Sequence, residues 1–164
     1  MYPDGIAYTF TPEDMEYGRE MARVRMRTKS RKPMGELEGS LGEVAFARIY
    51  GLNLPVIEVK RSDGGVDFTM ANGATVDVKS TSGERPEILG LLVPKRIRAG
   101  IYALIYVNEP EYWAMSLGWQ TGGWACSFGE ERFDHYRIDQ KQLRAPTDLY
   151  GMMEVPREPD RIST

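Results

Sequence analysis

The chain has 164 residues, 41% of them hydrophobic and 27% charged, with a formal net charge of −3, an ordinary composition for one folded domain with its own core. A single cysteine, Cys126, and a single histidine, His135, exclude an internal disulfide and a zinc site built from Cys and His, and leave carboxylates, lysine, arginine and tyrosine for catalysis. No basic start leads into an apolar run and no stretch of about 18 apolar residues occurs, so neither secretion nor membrane spanning is expected and a reducing cytoplasm is the expected compartment.

One domain is expected over 1–164: a basic N-terminal helix and loop (1–35), a core (36–153) and a loose tail (154–164). The first helix starts at Thr11-Pro-Glu-Asp, where Thr11 can cap, Pro12 suits the first helical position and the acids complement the helix dipole. It runs to about Thr28. Arg19, Arg23, Arg25, Arg27, Lys29, Arg31 and Lys32 crowd its second half and the loop after it, opposed only by Glu20. Local charge of this kind, unlike the acidic sum, is what a phosphate feels within a Debye length of about 8–10 Å. A second helix is expected over Glu36–Tyr50, stopped by Gly51 at the C′ position with Leu52 beyond it. Leu37, Leu41, Val44, Ala45 and Leu52 share one stripe, and Glu43 sits at its margin.

The period then changes to two. Val56–Arg61 alternates as a strand, and Val66–Met70 and Ala74–Ser80 flank Asn72-Gly73 as a hairpin. Leu89–Val93 fits a short strand or part of a helix. Ile101–Val107 is a nearly continuous apolar run, the pattern of a buried central strand, with Tyr112–Gly118 as its antiparallel neighbour. A short helical turn is expected over Asp139–Leu143.

The hairpin register decides which side chains meet. A two-residue loop would put Asp67 and Asp77 on different faces. A three-residue loop, Ala71-Asn72-Gly73 with Gly73 left-handed in a bulge, sets Asp67 directly opposite Asp77. It also collects Val66, Phe68, Met70, Val76 and Val78 on one face and Asp67, Thr69, Thr75, Asp77 and Lys79 on the other. Opposed carboxylates stand about 4.5–5.5 Å apart at Cβ and repel unless a cation lies between them. With Glu43 leaning in, they offer the hard oxygen ligands that Mg²⁺ prefers, while Lys79 projects from the same face as Asp77. This is equipment for metal-assisted phosphodiester hydrolysis. Glu58-Val-Lys60 is a rival acid-x-Lys, but it has no opposed carboxylate and reads as a solvated strand face.

These residues resemble the PD-(D/E)XK nuclease superfamily: Glu43 in Gly39-Ser-Leu-Gly-Glu-Val-Ala-Phe, Asp67 in Gly64-Gly-Val-Asp-Phe, and Asp77-Val-Lys79. The resemblance covers about Gly39–Ser80, with Val66 in place of the proline that names the motif. It implies an α/β, restriction-endonuclease-like core with a central mixed β-sheet flanked by helices in the order α-β-β-β-α-β; the N-terminal basic helix is extra to that core and lies outside the resemblance. It implies a Mg²⁺-dependent nuclease, Mn²⁺ being able to substitute, with DNA favoured over RNA and endonuclease action favoured, in a bacterial or phage setting. Glu43, Asp67 and Asp77, with the Val78 backbone carbonyl, would hold the metal and Lys79 would assist the nucleophile. Arg19 to Lys32 would clamp nucleic acid, with Lys95, Arg96 and Arg98 as a second patch. A homodimer would suit a cut through two strands. The alternatives are a non-catalytic nucleic-acid-binding module of the same fold, a junction resolvase and an RNA-cleaving variant.

Overall fold

The computed structural model describes residues 5–27, 33–58, 65–85 and 89–153. A central sheet of five strands has the order β1 (Ile6–Thr9), β6 (Trp113–Thr121), β5 (Ile101–Asn108), β3 (Thr75–Thr81), β2 (Phe68–Thr69). It is mixed: β3 and β5 run parallel, whereas β1–β6, β5–β6 and β2–β3 are antiparallel. Helices α1 (Pro12–Met26) and α2 (Pro33–Tyr50) belong to one side, and a smaller antiparallel sheet, β4 (Gly90–Pro94), β8 (His135–Asp139) and β7 (Glu130–Glu131), to the other. Helices α3 (Gly122–Phe128) and α4 (Asp148–Met153) complete the described fold. The chain is thus α/β with a mixed central sheet. No helix among the described residues is long and apolar enough to cross a membrane.

Strand β5 explains its own sequence. Ile101, Ala103, Ile105 and Val107 pack with Leu41, Val44 and Phe46 of α2, while Tyr102 and Leu104 pack with Leu91, Val93 and Ile138 of the second sheet. A strand covered on both faces has no polar side to alternate. Helix α2 lies so close to β3 that a Cβ on Gly42 would collide with the Ser80 side chain. It ends as expected: Gly51 has φ +68°, and the Leu52 N–H reaches back to the Ala47 carbonyl at 2.8 Å, a Schellman bond. Thr11 caps α1 in a reciprocal pair with Asp14.

Three expectations are corrected. The described part of Val56–Arg61, residues 56–58, lies in no strand, and residues 59–61 fall outside the described residues. Pro55 has no N–H for a ladder, and its carbonyl is taken by the Tyr17 hydroxyl at 2.5 Å, leaving Val56 exposed and Ile57 against the core. The order α-β-β-β-α-β is not found either, because the crossover from β3 to its parallel neighbour β5 passes through strand β4 rather than a helix among the described residues. Val66, placed by alternation with Phe68 and Met70, packs instead against the second cluster. The reason is that β2 begins only at Phe68 and the chain before it bends at Gly65. The tail 154–164 lies outside the described residues.

Candidate functional site

The hairpin adopts the three-residue register. Phe68 pairs with Val76 and Thr69 with Thr75, the Gly73 N–H closes on the Met70 carbonyl at 2.9 Å, and Gly73 has φ +84°, a conformation that favours glycine. Asp67 and Asp77 therefore face one another across the next position. The strand pair parts there. The Asp67 N–H turns back to the Val76 carbonyl at 2.8 Å, and the Asp67 carboxylate accepts the Val78 N–H at 2.8 Å. The Val78 carbonyl lies on the same side of its strand as its N–H, so it faces the same open edge.

Asp77 is only 6% exposed, and Lys79 Nζ lies 2.8 Å from its Oδ2. Burial pushes the Asp77 carboxyl up to about 6; Lys79 pulls it down, while the charge of Asp67 and a hydrogen bond between the two carboxyl groups raise it further. The floor beside this pair is glycine. Gly65 has φ +71°, and a Cβ on it would stand 3.6 Å from Asp77 Oδ2 and 3.5 Å from Arg98 Cδ. Arg98 is brought there by the buried Tyr102, which is paired with Asp77 in the parallel ladder and whose hydroxyl accepts the Arg98 N–H at 3.0 Å.

Glu43 is buried on α2, but its carboxylate is engaged by Arg25 of α1 in a two-pronged pair at 2.8 and 2.9 Å. Arg25 also lies 4.0 Å from the buried Glu36. Burial works against the Arg25 charge, yet Glu43, Glu36 and the field of Asp67 raise its pKa above the usual arginine value. Even-numbered residues of β3 face α2, as Ser80 against Gly42 demonstrates, so Asp77 and Lys79 point to the opposite side of the sheet from Glu43. Among the described residues no three His, Cys, Asp or Glu side chains gather closely enough to hold a metal ion together. The structure thus brings together Asp67, Asp77 and Lys79 and adds Arg98, while Glu43 stands apart in the Arg25 pair.

The basic segment is divided. Arg25 is 6% exposed and cannot serve as a phosphate contact in this state, which corrects its expected role. The reason is its place on the buried stripe of α1 with Gly18, Met21 and Ala22. Arg23 pairs with Glu20 at 2.5 Å and Arg19 with Glu109 at 3.9 Å, and Arg27 is exposed at the end of α1. Lys29, Arg31 and Lys32 lie outside the described residues. Lys95 pairs with Glu131 at 2.7 Å, whereas Arg96 and Arg98 are exposed. Sequence reasoning missed Glu36 as a partner of this cluster. The signal was there: Glu36, Ser40 and Glu43 recur at i, i+4 and i+7 and all are buried.

The chain matches no protein-family model, no curated protein and no solved structure.

Proposed function

We propose that the chain is a divalent-metal-dependent phosphodiesterase acting on nucleic acid, DNA being the substrate that its resemblance to PD-(D/E)XK nucleases favours, with a restriction-endonuclease-like core around β2, β3 and α2. The observation that carries this reading is the pair of opposed aspartates at an open strand end, one buried and raised to about 6, with Lys79 at 2.8 Å. A buried carboxyl that prefers a proton at mild pH sits where a positive charge would be stabilising. The donor set fits Mg²⁺ or Mn²⁺: Asp67, Asp77 and the Val78 carbonyl would hold the ion, and Mg²⁺ needs only one or two carboxylates because it keeps several waters. When bound, the cation supplies an acidified water and neutralises charge on the attacked phosphate.

The chain's own residues do the rest. Asp77 orients Lys79 through their ion pair, and the Lys79 ammonium, whose side chain is 36% exposed, steadies the negative charge that develops on phosphate oxygens. Asp67 is fixed by the Val78 N–H and cannot rotate away without losing that bond. Glu43 takes no part at this edge, because Arg25 holds it at the contact of α1 and α2. A non-catalytic nucleic-acid-binding module is the second reading, favoured by the engagement of Glu43 with Arg25 in place of the two aspartates.

The test is a cleavage panel with Mg²⁺, Mn²⁺ or EDTA on supercoiled plasmid, linear duplex, single-stranded DNA, a four-way junction and RNA, for wild type and Asp77→Asn. Metal-dependent cutting is expected, reduced at least about 100-fold in the variant, as for loss of a main electrostatic group. Mg²⁺ at ten times its Kd should also stabilise wild type by about 1.4 kcal/mol and leave the variant unmoved. Nucleic-acid binding without cutting or metal stabilisation selects the second reading.

A further inference from the structure

Beyond the acidic edge, an unusual aromatic stands on a neighbouring hairpin, one backbone hydrogen bond away from the segment that leads to that edge. Phe133 is 98% exposed. It occupies the two-residue turn between β7 and β8, closed by the Arg132 N–H on the His135 carbonyl at 2.9 Å, a place where Gly, Asn and Asp are the usual residues. The neighbouring Asp134 accepts the Lys95 N–H at 3.2 Å. From Lys95 the chain runs through Arg96 to Arg98, whose side chain lies over Gly65 beside Asp77. Chain reach alone keeps the Phe133 backbone within roughly 30 Å of the Asp77 carboxyl.

The charges along this path are sorted. Two acids of the hairpin are matched by cations, Glu131 by Lys95 at 2.7 Å and Glu130 by Arg132 at 2.6 Å, and Asp134 shares a hydrogen bond with His135 Nδ1 at 2.6 Å. Arg96 and Arg98 are exposed and form no ion pair among the described residues. An exposed ring at one end and two guanidinium groups leading to an edge that takes phosphate through its proposed cation is the arrangement by which single strands are held: cations follow the backbone and rings stack on unpaired bases. A blunt duplex hides its bases within the stack and offers such a ring only the outer faces of its two terminal pairs.

We propose that Phe133, Arg96 and Arg98 form a track for single-stranded DNA that leads to the Asp67–Asp77 edge, so that the substrate is a single strand or the unpaired part of a branched or frayed duplex. This rests on the nuclease reading for the meaning of the edge, but the track itself is measurable without cleavage.

The experiment is fluorescence anisotropy in EDTA with a labelled 16-nucleotide single strand and a blunt duplex of the same length, for wild type, Phe133→Ala and Arg96→Ala/Arg98→Ala. Phe133→Ala is expected to weaken single-strand binding about 5- to 150-fold, the range for loss of one base stack, and to leave duplex binding unchanged. The arginine variant is expected to lower the salt slope by about 1.4, at roughly 0.7 per phosphate contact. Unchanged single-strand affinity in Phe133→Ala, or equal loss on duplex, overturns the proposal. So does a dimer, seen by light scattering in wild type and lost in Phe133→Ala, because the ring would then be a contact between copies. Failure to cleave alongside a Phe133-dependent single-strand affinity sinks the nuclease reading alone, whereas cleavage that ignores Phe133 sinks the track alone.

Discussion

Asp14 and Asp77 are both aspartates buried beside a basic partner, at 0% and 6% exposure, and their surroundings move them in opposite directions. Burial works against the charge of Asp14, but the Tyr8 hydroxyl at 2.5 Å, the Thr11 N–H at 3.1 Å and Arg48 Nε at 2.9 Å hold its carboxyl below the usual range. Tyr8 is correspondingly pushed up to about 12, first by its own burial and then by its bond to Asp14. At Asp77 burial prevails: Lys79 is the one cation that lowers it, and Asp67 opposes the charge, so the carboxyl rises to about 6. Fully bonded carboxylates stabilise a fold, whereas strained ones mark places where charge is handled. Asp14 ties α1 to α2 through Arg48, and Asp77 stands at the edge that we propose takes a cation.

That contrast is sharpened first at a third buried acid, Glu43, which resembles Asp14 in being paired. Its side chain and that of Arg25 are 8% and 7% exposed. Arg25→Met should cost about 3–5 kcal/mol in urea denaturation, the cost of stranding a buried charge. A cost below about 1 kcal/mol would mean that Glu43 is as loosely held as Asp77. Asp14→Asn should cost less, about 1–3 kcal/mol, because it keeps the shape but loses charge-assisted bonds to Arg48 and to the start of α1, and Arg48 is exposed enough at 41% to return to water. Since the Asp14 pKa is lowered on folding, its contribution is present above the ordinary carboxyl value and fades as pH falls through the folded one, so the gap between wild type and Asp14→Asn should close in acid.

The hairpin register was legible because it depends on local counting: only one loop length puts every apolar residue from Phe68 to Val78 on a single side, and Phe68 pairs with Val76 accordingly. The helix ends at Thr11 and Gly51 were legible for the same reason, since caps are read from adjacent residues. What failed was whatever depends on distant partners. Arg25 belongs by charge to the basic run and by period to the buried stripe of Gly18, Met21 and Ala22, and a partner on the next helix, Glu43, settled it inward. Val56–Ile57 alternates like a strand but meets no ladder at Pro55. Arg98 comes over Gly65, beside Asp77, where the Tyr102 hydroxyl holds the loop before β5 through the Arg98 N–H, and no spacing in the sequence announces that. The open edge at Asp67 was equally invisible, since alternation carried the strand on to Val66 and the chain bends first.

The smallest expected change is the most discriminating. Asp77 meets Lys79 and Asp67, with Arg98 across Gly65. Its carboxyl lies about two pH units above the ordinary value of 3.8, so its protonated form is favoured by folding. The resulting stability is fully present below about pH 3.8 and is lost as pH rises through about 6, a decline of at most about 3 kcal/mol. Asparagine cannot ionise and keeps the shape. Asp77→Asn should therefore remove this decline, lie within about 1 kcal/mol of wild type or above it at pH 7.5 in EDTA, and differ little at pH 4.5, as urea denaturation at four pH values would establish. That is the reverse of Asp14→Asn, whose deficit is largest at neutral pH. If Asp77→Asn instead loses more than about 1 kcal/mol at pH 7.5, the Lys79–Asp77 pair is a structural tie of the Asp14 kind, and the edge loses the electrostatic strain on which its proposed cation rests.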